Sequence, residues 1–344
     1  MSTSVKFMKS EAGMQTAFDT AATTNFKLPW TGEYEDLQED HAAEYDAGTW
    51  TPNTIAAKVA NYAALRFSGT AFYEYMPVIH NLAWTATGPT DQTTYQQYDA
   101  SVSVSAVGAP RPYTFLLGGK ELLGATGPAV KIQDAYCQSY TLSGGINEKA
   151  IQLTAELFGL SVNDNAAAGF AFADSALFSP VGMMKSLTAV VKYKTAGTTG
   201  GSFVTMNPLS CVLLDWQMTF NTGLMPKWAA DQADLSYCGV RHAAPSIEIA
   251  TTIRTDATTY AAIKAKADAR TFQEIEFFWT GDDQRALKYQ FTGRFLPNFI
   301  AHSRSEDEVV MQPTFRVETP HTQTTTPHWF GWQLDTEYSH ALAV

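Results

Sequence analysis

Apolar and polar residues alternate with period two along several stretches, which places one set of side chains on each face of a β-strand. In Val212 to Asn221, the residues Val212, Leu214, Trp216, Met218 and Phe220 face one way, and Leu213, Asp215, Gln217, Thr219 and Asn221 the other. The same pattern predicts strands at Ser246 to Arg254, Glu274 to Trp279 and Leu287 to Thr292. Turn residues close these runs, as at Asn221-Thr222-Gly223, Thr280-Gly281-Asp282 and Thr292-Gly293. The first half adds Val59 to Ser68, Tyr113 to Leu117, Tyr136 to Ser143 and Ile151 to Phe158, with Gly118-Gly119 and Gly144-Gly145 read as turns.

Helical periodicity is confined to two places. Asp256 to Arg270 is rich in alanine and lysine behind a capping aspartate, with Tyr260, Ile263 and Ala267 on one face. Ala71 to Trp84 carries Phe72, Tyr75, Met76, Ile79, Leu82 and Ala83 at helical spacing. Pro77 would break a helix that began upstream, so the regular helix is expected to start at Met76 or Pro77. Each helix follows a strand and precedes two more, so the order strand, helix, strand, strand occurs twice and suggests two related domains.

The predicted class is therefore mainly β: tandem antiparallel sandwich or barrel domains, each with one flanking helix, plus long loops and terminal arms. The expected divisions are 1–162 and 202–300 for the domains, 163–201 for a linker or loop, and 301–344 for a C-terminal arm. Gly88 to Pro110 reads as a further long polar loop.

Composition narrows the function. Of 344 residues 45% are hydrophobic and 17% charged, which excludes intrinsic disorder. A net charge of -11 argues against a general nucleic-acid binder, whose affinity comes from neutralising phosphates. The acidic stretch Glu33, Glu35, Asp36, Glu39, Asp40, Glu44 and Asp46 reads most simply as a solvated surface loop. Cys137, Cys211 and Cys238 lie far apart and signal neither a zinc site nor a disulfide framework. The sequence shows no apolar run long enough for a spanning helix and no secretory pattern in Met1 to Met14.

Three phrases carry a family resemblance: Tyr136 to Gly159, Leu214 to Pro226, and the Thr280-Gly281 turn between two alternating strands after the alanine-rich helix. Together they resemble the tail tube (major tail) proteins of long-tailed bacteriophages. The resemblance implies a non-enzymatic virion subunit, made in the host cytoplasm, that polymerises as stacked rings into a hollow conduit for the genome. With two fused domains per chain, three chains would make a pseudo-six-fold ring. Implied partners are other copies of the chain, a tape measure protein, and tail tip or terminator proteins, while DNA passes without specific binding and no cofactor is needed. On this reading Tyr140, Leu142, Ile151 and Leu153 are ring contacts. Glu33, Glu35, Asp36, Glu39 and Asp40 belong to an acidic lumen or a stacking loop.

Aromatic residues outside the predicted strands, Trp30, Trp50, Trp329, Phe330 and Trp332, are expected either to cap small cores or to anchor subunit contacts. Catalytic chemistry has little support. Glu274 and Glu276 share a strand face but read as the polar side of that strand, and Asp282-Asp283 reads as a turn. His321, His328 and His340 lack metal-ligand spacing. Two alternatives remain: another virion component, such as a capsid decoration or baseplate protein, and a β-sandwich carbohydrate-binding module or glycoside hydrolase, whose clefts also use Trp, Tyr and paired carboxylates.

Overall fold

Alternation becomes strand wherever one face has a core to meet. Along Ser246–Arg254, Ile247, Ile249 and Ile253 are buried while Ser246, Glu248 and Ala250 are exposed. A computed structural model of the chain describes residues 5–7, 9–22, 26–40, 58–85, 90–92, 95–103, 109–118, 129–160, 182–186, 189–195, 204–205, 213–228, 237–254, 257–282, 284–297, 303–305, 308–318 and 328–336.

The first half contains β1 (Val5–Phe7), β2 (Lys9–Met14), β3 (Phe26–Lys27), β4 (Thr31–Asp40) and β5 (Lys58–Thr70). A 3-10 turn at Tyr73–Tyr75 leads into helix α1 (Met76–Ala83), then come β6 (Thr90–Asp91), β7 (Gln96–Ser103), β8 (Tyr113–Gly118), β9 (Ala129–Gly145) and β10 (Gln152–Gly159). The second half contains β11 (Val190–Thr195), β12 (Val204–Thr205), β13 (Leu213–Asn221), β14 (Leu224–Lys227), β15 (Gly239–His242) and β16 (Ser246–Arg254). Helix α2 (Ala257–Asp268) follows, then β17 (Gln273–Thr280), β18 (Ala286–Phe295), β19 (Ser303–Ser305), β20 (Glu308–Met311), β21 (Thr314–Val317) and β22 (His328–Thr336).

The two halves share one topology. The chain order β2, β3, β4, β5, α1, β8, β9, β10 recurs as β11, β12, β13, β16, α2, β17, β18, β21. In the first half β2 pairs with β3 and β8, β8 with β9, β9 with β10, β10 with β5, and β5 with β4. In the second, β11 pairs with β12 and β17, β17 with β18, β18 with β21, β21 with β16, and β16 with β13. Every one of these pairings is antiparallel. The halves differ in what is added: β1 on β4, the β6–β7 hairpin after α1, the separate β14–β15 hairpin, the β19–β20 hairpin, and β22.

Strand β9 turns from one partner to another at Asp134, a left-handed residue (φ 52°) at an irregularity in the β8 pairing. The Gln15 side chain fixes this kink: its Nε2 donates to Asp134 Oδ1 and its Oε1 accepts from the Asp134 N–H, both at 2.8 Å. Burial raises the pKa of the Asp134 carboxyl, against the hydrogen bonds from Asp19 and Gln15.

Helix α1 begins where proline permits, with Pro77 in its first turn, and all its residues are buried. One continuous core serves both halves, from Phe67 and Leu153 through Tyr140 and Phe220 to Phe291 and Phe315.

Several expectations are corrected. Gly88 to Pro110 is not all loop, because β6 and β7 lie in it and β7 pairs with β22. The segment read as an acidic loop is strand β4 as far as Asp40, since β5 supplies it with a full antiparallel partner. The spans 163–201 and 301–344 supply β11, β21 and β22, so strands of the second half begin before residue 202 and continue past residue 300. Gly144-Gly145 is more than a turn: both residues belong to β9 and pair with β13, and the Gly145 carbonyl accepts from the Glu148 N–H at 3.2 Å in the reversal that follows.

Candidate functional site

The feature that sets this chain apart from a pair of tethered domains is a strand pairing between its halves. Residues Ser139–Gly145 of β9 run antiparallel to Asp215–Asn221 of β13, from Ser139 opposite Asn221 to Gly145 opposite Asp215. The neighbours β1, β4, β5, β10, β9, β13, β16 and β21 thus form one continuous sheet across both halves.

Because paired residues share a face, the register builds rows that cross the whole sheet. One row reads Thr31, Ser68, Thr154, Thr141, Thr219, Glu248, Arg316. The next polar row reads Glu33, Arg66, Glu156, Ser139, Asn221, Ser246. Between them runs an inward row of Gly32, Phe67, Ala155, Tyr140, Phe220, Ile247 and Val317. The outer face is rich in hydroxyl and amide groups. Its cation Arg66 stands opposite Glu33 and Glu156, and Arg316 reaches Glu248 at 2.9 Å.

On the inner face the joint is aromatic. Tyr140 and Phe220 stack across it with ring centroids 4.3 Å apart and planes 8° apart. The Trp84 indole N–H donates to the Tyr140 hydroxyl at 3.0 Å, and His80 Nε2 lies 2.8 Å from the Tyr289 hydroxyl. Desolvation holds His80 down at about 3, so the imidazole is neutral, and it raises the Tyr140 phenol. Phe330 of β22 packs on Trp84, Phe220 and Phe291, which seals α1 between the halves.

Two glycines let β9 and β13 come together. A Cβ on Gly144 would lie 2.8 Å from the Trp216 ring, and one on Gly145 would strike the Asp215 carboxylate. A buried ion pair adds a second tie: Arg285 Nε, just before β18, meets Glu74 Oε1, just before α1, at 2.6 Å. The other oxygen of Glu74 accepts the Gly182 N–H at 2.7 Å.

A groove of about 680 Å³ lies over the joint, lined by Ser143, Glu148, Asp215, Gln217, Thr252 and Thr314 among others. Its one aromatic liner, Trp216, is buried, so the groove offers no exposed ring on which a sugar could stack. No group of three or more His, Cys, Asp or Glu able to hold a metal occurs among the described residues. Glu276 is buried beside Lys192 and Gln290, and Asp282 meets Lys185 at 3.0 Å. Among the described residues no helix is long and apolar enough to cross a membrane.

The residues expected to anchor contacts between copies are interior to one chain. Tyr140, Leu142, Ile151, Leu153, Trp30, Phe330 and Trp332 are all buried in the core, because alternation or a local hydrogen bond turns them inward. The Trp30 indole, for instance, donates to the Thr70 carbonyl at 2.9 Å. Tyr140 and Leu142 do face a neighbouring strand, but it is β13 of the same chain. Of the acidic set, Glu33 and Glu35 are half-buried on β4, while Asp36, Glu39 and Asp40 lie on the same strand with side chains outside the described residues. Trp329 lies on β22 with its side chain likewise outside them; Trp50, Glu44 and Asp46 fall wholly outside. Reasoning from sequence missed Gly144, Gly145, Glu74 and Arg285. The available signal was that the glycines directly follow an alternating run, and so prolong that strand before the chain reverses into β10.

Compared with models of known protein families and with curated proteins, the chain matches none.

Proposed function

We propose that this chain is a structural subunit that joins copies of itself edge to edge into rings, and that stacked rings form a hollow tube of the phage-tail type through which a genome passes. The observation that carries the reading is the β9–β13 joint between two halves of the same topology. A contact between unlike edges of two like units is heterologous: each unit still offers one edge of each kind, so the contact propagates until a ring closes or a filament grows. Here the first half carries β4, the counterpart of β13, near the outer side of the sheet with three of its residues covered by β1, and the second half carries β18, the counterpart of β9. Three chains, hence six halves, are the arrangement we favour.

The sheet's polar face suits the wall of such a conduit. Hydroxyls and amides, with carboxylates at Glu33, Glu35, Glu156, Asp215 and Glu248, offer phosphates little to hold. Ring-to-ring contacts, the tape measure protein and a virion location belong to this same proposal. Negative-stain electron microscopy over a concentration series of the purified chain tests it. Hollow rings or tubes are expected; uniform single-chain particles at every concentration would overturn it.

A further inference from the structure

The two edges that the internal joint would reproduce between copies are not alike in the isolated chain. Strand β9 continues from Tyr136 to Gly145 beyond its last residue opposite β8, and seven of those residues pair with β13. Its counterpart β18 ends at Phe295, two residues past Gly293, its last residue opposite β17. The acceptor edges differ in a complementary way. On β13 the edge away from β16 holds β9. On β4 the edge away from β5 already holds a strand of the same chain: Val5 stands opposite Tyr34, Lys6 opposite Glu33 and Phe7 opposite Gly32.

We propose that β1 is a placeholder, occupying in cis the edge of β4 on which a strand of a second copy of this chain docks, and that it must leave before copies join. The proposal rests on the ring-forming reading above and adds its control step. Geometry supports the exchange. Gly32, Glu33 and Tyr34 each pair with β5 on one side and β1 on the other, so no third strand can reach them while β1 is seated. The remainder of that edge, from Glu35 to Asp40, pairs only with β5 among the described residues. An incoming strand can therefore nucleate there and displace β1 residue by residue.

The balance favours exchange. Strand β1 holds three register positions, whereas the internal joint shows that such an edge accepts seven. A strand held by only three register positions on one side also opens at low cost. While seated, β1 covers an edge that would otherwise invite indiscriminate strand addition.

The test uses sedimentation velocity of the full chain across a concentration series. Val5→Pro/Lys6→Pro removes two backbone donors from β1. Lys6→Cys/Glu33→Cys allows β1 to be locked on β4 by oxidation, with oxidised wild type as the control. The proline variant is expected to assemble at a concentration at least ten-fold below wild type. The oxidised lock is expected to stay a single chain until a reductant releases it.

Equal assembly of wild type, proline variant and lock would overturn the placeholder while leaving the ring reading intact. Failure of every form to assemble, with unchanged thermal unfolding, would overturn the ring reading and the placeholder with it. Should the proline variant unfold, the lock alone decides, because it joins two positions that already stand opposite each other in register.

Discussion

Strands β9 and β18 hold the same place in the two halves, yet one is 17 residues long and the other 10. Nothing in their local patterning demands this, since both alternate and both open on a hairpin partner. The difference is the neighbour: β9 gains β13 along the stretch that runs past β8. Among the described residues β18 gains no strand on the edge that runs past β17, its β22 pairing lying on the opposite edge. The helices repeat the lesson. All of α1 is buried beneath the joint, whereas α2 buries Ile263 and Ala267 and exposes Ala261, Ala262, Ala265 and Asp268. A second half laid against the first turns a surface helix into a core helix and lengthens a strand.

The comparison breaks most severely when its aromatic centre is removed. Phe220→Ala should lower the free energy of unfolding by about 3–5 kcal/mol, because it empties the stack beneath the joint. Tyr34→Ala, on the strand that is the counterpart of β13, should cost less than half as much, since Tyr34 is only half-buried in one chain. Urea unfolding of the two variants measures the contrast.

Removing one partner of the buried tie between the halves comes next. Glu74 is fully buried, so Arg285→Met should cost about 3–5 kcal/mol by leaving its carboxylate unpaired. Lys185→Ala, at the exposed pair with Asp282, should cost at most about 1 kcal/mol. If both cost the same, the buried pair does not bind the halves together.

A smaller effect sharpens the role of close approach. Gly144→Val pushes a side chain toward Trp216 and should cost about 1–3 kcal/mol, read from the same urea curves.

The mildest test is acid. His80 is held down at about 3 against an ordinary 6.5, so the unfolded chain takes up a proton that the folded chain refuses. The stability from keeping it neutral is complete above about pH 6.5 and is lost progressively as pH falls toward 3. His80→Gln should therefore narrow its stability gap to wild type on acidification, with no change in the gap between pH 7 and 8. Denaturant titrations from pH 8 to 4 follow it.

Much of this architecture was legible in the residues. Ser246–Arg254 is strand over the whole span its alternation marks, and α1 starts at Met76 because Pro77 tolerates only a first-turn position. The repeated order strand, helix, strand, strand is present with matching pairings. What escaped is what depends on distant partners. Strand β7 carries Gln, Asp and Ser and gains its place by pairing with β22 along its length and with the short β6. The acidic β4 is a strand because β5 lies beside it. Phe330, Trp332 and Leu334 do alternate, and that period was the available signal that the last aromatic segment is a strand rather than an arm. The joint was only half visible: the run Tyr136 to Ser143 was clear, but nothing local says that its partner is β13 of the same chain.

The most direct measurement is a cryo-EM reconstruction of the assembled particle at a resolution that separates strands. The account predicts six equivalent halves per ring, with β4 of one copy paired antiparallel to the strand that continues β18 of its neighbour, in the register of β9 on β13. Copies that meet through any other surface, with β1 still seated on every β4, would contradict it.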